Sequence, residues 1–371
     1  MNNFLLSDKK DLANFLNQRQ FNKIFILGGK NSFIASGAKK LLAKYLENKT
    51  TYYYFKTSPF PEILELKNII LKLKKFSPDL IIAVGGGSVL DYAKIANAIE
   101  NTNNLSEKII NSSYSIKNKF TKLVAIPTTA GSGAEATSNA VIYVNKIKYS
   151  VEGKIIKPDY YFLIPELIIN SSKKIKSSAG FDAIAQSVES LISKKSNSQS
   201  INFAKKSLNI SLKNYLNYIK RPSLKNTAAM CIAANLSGKA INISKTTAPH
   251  AVSYPFTSIY NISHGHAVSL TLEKFLKFNF LNQKKATCSF DLNLRYKNIF
   301  KIFNVNNINE LERFFINFKI KSGLESDFKK LKIDLNRNIN QILSGVNIQR
   351  LQNNPINLDK KDIKNIIITF N

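Results

Sequence analysis

The first 170 residues alternate two patterns of apolar and polar positions. KIFILGG (23–29), DLIIAV (79–84) and KLVAIP (122–127) are short, nearly continuous apolar runs and read as strands buried on both faces. TYYYFK (51–56), NAVIYV (139–144) and YYFLI (160–164) are rich in β-branched and aromatic residues and read as further strands. Between them, apolar positions recur at helical spacing from Ser32 to about Tyr45, over about 62–76 behind Pro59 and Pro61, and from Ser88 to about Ile99. Near residue 173 the period changes, and helical repeats cover 182–194, 200–219, 225–241, 265–281 and 307–318. The pattern predicts an α/β domain with a mainly parallel sheet over 1–170 and an all-helical domain over 171–371, with no internal repeat.

A length of 371 residues with 44% hydrophobic content suits two globular domains and excludes a largely disordered chain. No apolar run reaches the ~18 residues a membrane helix needs. The N-terminal MNNFLLSDKKDLANFL lacks the basic-then-apolar layout of a signal peptide. Cys231 and Cys288 form neither a metal motif nor a disulfide framework, so a reducing cytoplasm is the expected compartment.

The net charge of +30 raises the question of nucleic acid. Only six of the 54 basic residues are arginine (Arg19, Arg221, Arg295, Arg313, Arg337 and Arg350), and the lysines are scattered among Asn and Ile. Readers of phosphate and base edges favour the bidentate arginine fork. No nucleic-acid or membrane partner is therefore expected, and the charge reads as a codon preference and a solubility term.

Two clusters in the first half carry chemistry. Gly85-Gly86-Gly87-Ser88 follows a strand and opens a helix, where glycines allow close approach of a phosphate and the helix N-terminus supplies N–H donors. The same residues also make a tight strand-to-helix turn, and they match neither GxGxxG nor the P-loop. Pro127-Thr128-Thr129-Ala130-Gly131-Ser132-Gly133 follows another strand. Ligands of open α/β sheets sit beyond the carboxyl ends of strands, so the two clusters suit one dinucleotide crevice.

The helical half holds all three histidines, His250, His264 and His266, within 17 positions. Asp182 and Gln186, at i and i+4, share one helix face. A carboxylate, an amide oxygen and two imidazoles make a set for Fe²⁺ or Zn²⁺, although each residue taken singly also has a capping, surface or core role open to it.

Together GGGSVLDYAK (85–94), IPTTAGSGAEAT (126–137), GFDAIAQSVES (180–190) and the His250–His264 pair resemble the iron-containing (group III) alcohol dehydrogenase family over nearly the whole chain. The resemblance implies an N-terminal dinucleotide-binding α/β domain and an all-α C-terminal domain, the fold shared with dehydroquinate synthases. By position it implies Asp182, Gln186, His250 and His264 as ligands of one divalent metal, Fe²⁺ or Zn²⁺. It implies Gly85, Gly86, Gly87, Ser88, Asp91, Thr128, Thr129, Ser132 and Lys148 as the binding residues of NADH or NADPH. Many members carry histidine where Gln186 stands, and an amide oxygen is a weaker donor. Tyr254 stands where members have a histidine proton relay, so the resemblance leaves His266, Tyr254 or water for that role. Gly29 replaces the aspartate of NAD-preferring members, which leaves NADPH unrepelled. The family often forms dimers, and a homodimer is what the resemblance implies.

Within the family, residues 235–272, Gln186 and Arg350-Leu-Gln-Asn-Asn-Pro355 resemble the members that reduce phosphonoacetaldehyde to 2-hydroxyethylphosphonate. A phosphonate dianion needs cations near the metal, and Lys239 and Lys245 lie in the matching segment. The expected activity is metal-dependent, NAD(P)H-linked reduction of that aldehyde. Other alcohol, polyol or polyol-phosphate dehydrogenases share the scaffold, and a non-catalytic basic binding protein on the same scaffold is the alternative of a different class.

Overall fold

A computed structural model describes residues 9–369. The chain forms two compact units. One ends at Ser172 and also takes in Pro222–Asn235; the other comprises Lys173–Arg221 and the chain from Leu236 onward.

The first unit has seven strands among the described residues: β1 (Lys23–Gly29), β2 (Thr50–Lys56), β3 (Leu80–Gly85), β4 (Lys122–Pro127), β5 (Asn139–Val144), β6 (Ile147–Glu152) and β7 (Tyr160–Tyr161). Five make a parallel sheet in the order β2-β1-β3-β4-β7. All six residues of β3 are buried, as expected of an apolar run with helices on both faces, whereas the tyrosine-rich edge strand β2 is only partly covered. The chain steps from β1 outward to β2 and then back across to β3. The switch point therefore lies between the carboxyl ends of β1 and β3, at Gly29 and Gly85.

Three elements of the first unit differ from the sequence expectation. The helix expected over 32–45 is two helices, Lys30–Ala35 and Ala38–Leu46, because Gly37 takes a left-handed φ of 85°. NAVIYV does not join the parallel sheet. It forms an antiparallel hairpin with β6, turned by Asn145 and Lys146, which both have positive φ as a two-residue hairpin turn requires. Of YYFLI only Tyr160–Tyr161 pairs as a strand.

Among the described residues the second unit is entirely helical. Its central helix, Lys173–Ile192, is buried at nearly every position from Lys176 onward. Small polar side chains let neighbouring helices approach it: Ser187 hydrogen-bonds Ser207 at 2.9 Å and Ser190 accepts from Ser244 at 2.8 Å. The expected helix over 265–281 breaks into His264–Ser269 and Leu272–Leu281. A further helix, Ala248–Ser258, begins with Pro249 in its first turn and contains Pro255, which obscured its period in the sequence. Its apolar side packs in one core with Ile339, Ile342 and Leu351. No helix among the described residues is long and apolar enough to cross a membrane.

Candidate metal centre and cofactor loop

Asp182, His250 and His264 come together in the second unit, each offering a ligand atom within 4.8 Å of the others. Three elements place them. Asp182 lies on the buried central helix, His250 in the first turn of Ala248–Ser258, and His264 at the start of His264–Ser269. The third element docks through Gly265. A Cβ there would lie 2.0 Å from the Ser178 carbonyl oxygen and 2.8 Å from Asp182 Cβ. The backbone N–H of His266 donates to Ser178 Oγ at 3.1 Å and completes the contact.

His250 is held from both sides. Its Nδ1 bonds the buried Glu189 carboxylate, which also accepts from the Thr247 N–H and hydroxyl at 2.9 Å each. A carboxylate only accepts, so Nδ1 carries the proton and Nε2 turns its remaining valence toward Asp182 Oδ1, 3.1 Å away. Burial opposes charge on the ring, but Glu189 and then Asp182 outweigh it and push His250 up to about 9. A proton on Nε2 donated to the carboxylate, or a divalent cation taking that proton's place, holds an imidazole nitrogen and a carboxylate oxygen at this distance. With His264 beside them, the set fits a divalent metal.

Gln186 is buried one turn beyond Asp182, and its Oε1 accepts from Ser237 at 2.9 Å. Tyr254 is buried with its ring 6.0 Å from that of His264 and roughly parallel to it. Burial pushes its phenol up, with Arg350 opposing and Glu189 and Asp182 reinforcing. His266 is not brought into this group. Its Nε2 donates to the Glu325 carbonyl at 2.6 Å, and it lines a separate cavity of about 440 Å³ with Lys173, Lys174 and Lys220. Burial pushes its imidazole down. Lys239 stands two residues past Ser237, roughly 200° round the helix from the face that meets Gln186. Lys245 follows the helix end with a left-handed φ of 61°.

In the first unit the two small-residue clusters meet. The Thr128 N–H donates to the Gly85 carbonyl at 3.0 Å. A Cβ on Gly87 would lie 2.9 Å from Ser132 Oγ, and one on Gly85 would lie 2.5 Å from Val89 Cγ2. Gly86 differs: its φ of −73° is ordinary, and a Cβ would meet only Thr129, at 3.5 Å. Gly85 and Gly87 are thus required by packing, while Gly86 leaves open space at the N-terminus of the Gly87–Ala96 helix. Donor groups facing such space fit a pyrophosphate.

Asp91 and Lys148 sit elsewhere around this helix. Asp91 accepts from the Val141 N–H of β5 at 3.2 Å and pairs with Lys94 at 3.6 Å. Burial pushes its carboxyl up against Lys94 and, more weakly, Lys148 on β6.

Three functional or supporting residues were missed in the sequence. Glu189 lies seven residues after Asp182, two turns on along the same helix face, and that spacing was the signal for it. Lys94 is fully buried and donates to the Ala134 carbonyl at 2.9 Å and Thr137 Oγ1 at 2.8 Å, holding the second cluster against the helix of the first. Glu135 is buried too and accepts from Asn235 at 3.0 Å. Nothing in the local sequence separated these two from surface charges.

Comparison with known proteins agrees. Residues 7–165 match the family described as iron-containing alcohol dehydrogenase, and residues 176–370 match the C-terminal part of the Fe-containing alcohol dehydrogenase family. The chain is 30% identical over 218 residues to a phosphonoacetaldehyde reductase of Streptomyces viridochromogenes, a match spanning 56% of this chain and about half (55%) of that protein. It is 28% identical over 284 residues to a 4-hydroxybutyrate dehydrogenase of Clostridium kluyveri, covering 74% of this chain and 75% of that one. Among solved structures, a sulfoacetaldehyde reductase from Bifidobacterium kashiwanohense in complex with NAD+ superposes with a TM-score of 0.84 at 21% identity, over 99% of this chain and 96% of that one. At that identity the match speaks for the fold.

Proposed function

The chain belongs to the iron-containing alcohol dehydrogenase family, and on that premise we propose that it is a metal-dependent, NAD(P)H-linked oxidoreductase that reduces phosphonoacetaldehyde to 2-hydroxyethylphosphonate. The observation that carries the reading is the convergence of Asp182, His250 and His264, with Glu189 fixing His250. When bound, the nicotinamide supplies the hydride and the divalent metal polarises the carbonyl.

The chain's own residues do the rest. Asp182, His250, His264 and the Gln186 amide oxygen form the donor set that would hold the metal. Glu189 sets the tautomer and orientation of His250. Gly85, Gly86, Gly87 and Ser88, with Thr128, Thr129 and Ser132, would hold the cofactor's phosphates. Tyr254 Oη, kept protonated by burial, supplies the proton that completes the alcohol; His266 is tied to Glu325 and does not serve. The phosphonate is supported by the similarity to the Streptomyces reductase. The name of a further similar protein, a 4-hydroxybutyrate dehydrogenase, also describes a short molecule with an anionic end.

The test follows NADH and NADPH oxidation by protein loaded with Fe²⁺ or Zn²⁺, on phosphonoacetaldehyde beside propionaldehyde. A kcat/KM about a hundredfold higher for the phosphonate, roughly 2.7 kcal/mol of transition-state preference, is expected. Equal turnover of both aldehydes would discard the substrate, and no turnover of any aldehyde by loaded protein would discard the activity.

A further inference from the structure

We propose that the cavity of about 440 Å³ lined by His266, Lys173, Lys174, Lys220 and Lys321 is a second binding site, for a phosphate group that carries or neighbours a hydroxyl. Hydrogen phosphate and hydroxylated phosphate esters share that chemistry. None of Asp182, His250 and His264 lines this cavity.

Three helices of the second unit frame it. Lys173 and Lys174 open the central helix Lys173–Ile192, Lys220 ends the helix Ser198–Lys220, and Lys321 lies in the last turn of the helix Ile308–Ser322. The walls are tied together. Ser177 Oγ donates to the Ser322 carbonyl at 2.6 Å, and the Ser177 carbonyl accepts from the Tyr215 hydroxyl at 2.7 Å, so the central helix holds both of the others. Gly323, with a left-handed φ of 72°, turns the chain out of the third helix, and the Glu325 carbonyl just beyond accepts from His266 Nε2. A cavity pinned in this way is formed before a ligand arrives, and its volume lies within the ~300–1,000 Å³ of small-molecule sites.

Its charges are unbalanced. None of the four ammoniums has an ion-pair partner among the described residues. Glu325 is the one carboxylate on the lining, and it folds onto its own chain, Oε1 accepting from the Ser326 and Asp327 N–H groups at 2.9 Å each. A lysine near a helix C-terminus is favoured by the dipole, which accounts for Lys220 and Lys321. The same dipole disfavours Lys173 and Lys174, which stand at the positive end of a 20-residue helix with no acidic residue in its first turn. An anion in the cavity resolves that conflict.

His266 selects among anions. A carbonyl only accepts, so the ring holds its proton on Nε2. Nδ1 keeps a lone pair with no hydrogen bond among the described residues, although the residue is only 9% exposed. A lone pair among ammoniums calls for a ligand hydroxyl. Hydrogen phosphate brings both the charge and the hydroxyl, whereas sulfate brings the charge alone.

The test titrates the full chain with inorganic phosphate, glycerol 3-phosphate and sulfate at pH 8 by calorimetry, with and without bound Fe²⁺ or Zn²⁺. Wild type should bind phosphate at one site with an affinity that does not depend on the metal. Sulfate should bind about 10- to 100-fold more weakly, the cost of leaving the lone pair unpaired. Lys173→Gln and Lys220→Gln, at exposed positions that the fold tolerates, should each weaken phosphate by about tenfold. Lys301→Gln removes an exposed charge of the same unit away from the cavity and should leave binding unchanged. His266→Phe should lower phosphate to the affinity of sulfate. Tighter binding of glycerol 3-phosphate than of phosphate would assign the site to an ester, and the reverse to free phosphate. Absence of phosphate binding, binding that requires the metal, or equal weakening by Lys301→Gln would overturn the proposal, as would equal affinity of wild type for phosphate and sulfate. None of these readouts depends on which aldehyde is reduced.

Discussion

Glu189 and His250 are joined through Nδ1 of the ring, and that bond turns Nε2 onto Asp182. Glu189 is fully buried, and its two carboxylate oxygens are taken up by His250 and Thr247. Glu189→Gln should keep the fold but lower metal affinity by about 10- to 100-fold, the usual cost of losing the partner that orients a ligand histidine. Competition with a chelator of known affinity, read by metal analysis, checks it; affinity unchanged from wild type would show that the orientation of His250 comes from the backbone alone.

Gly86 and Gly85 are expected to behave differently although adjacent. Gly86→Ala should unfold at the wild-type temperature, since its Cβ finds room, yet raise KM for NADH or NADPH by about tenfold as the methyl group enters the space at the helix N-terminus. Gly85→Ala forces a clash with Val89 and should cost about 1–3 kcal/mol in stability. Thermal unfolding alongside cofactor titration separates the two, and a normal cofactor KM in Gly86→Ala would remove this loop from the binding site.

Gly265→Ala places a methyl group 2.0 Å from the Ser178 carbonyl oxygen, on backbone that cannot give way cheaply. The expected result is destabilisation of about 3 kcal/mol or more and loss of metal, because the same helix carries His264. Urea unfolding with metal analysis measures both, and a stable variant that keeps its metal would contradict the docking described above.

Lys274 supplies a pH test away from the site. Burial pushes its ammonium down to about 8, with Glu273 opposing, although it donates to the Ile367 carbonyl and lies over the Phe328 ring. Below about pH 8 the folded and unfolded chains both hold this proton, and the buried charge costs its full amount. Between about 8 and the ordinary 10.5 the unfolded chain holds a proton that the folded chain has released, so this residue's penalty shrinks as pH rises. Relative to Lys274→Met, wild-type stability should recover by about 3 kcal/mol from pH 8 to 10.5. A constant difference across that window, in paired urea titrations, would show that Lys274 stays charged in the fold.

The sequence by itself determined what depends on neighbours along the chain. Apolar runs of strand length placed β1, β3 and β4 within a residue or two, because strands buried on both faces need continuous apolar side chains. The i, i+4 spacing put Asp182 and Gln186 on one face, and the motif resemblance named His250 and His264. Tertiary structure decided the rest. Whether NAVIYV entered the parallel sheet depended on a turn at Asn145-Lys146 that let it pair backward. His264 and His266 differ by two residues yet face different surroundings, since side chains two apart on a helix point to opposite sides. Lys94 and Glu135 look like surface charges in one dimension. They are interior because each found, from distant parts of the chain, the partners that make burying a charge tolerable, and such partners have no fixed sequence spacing.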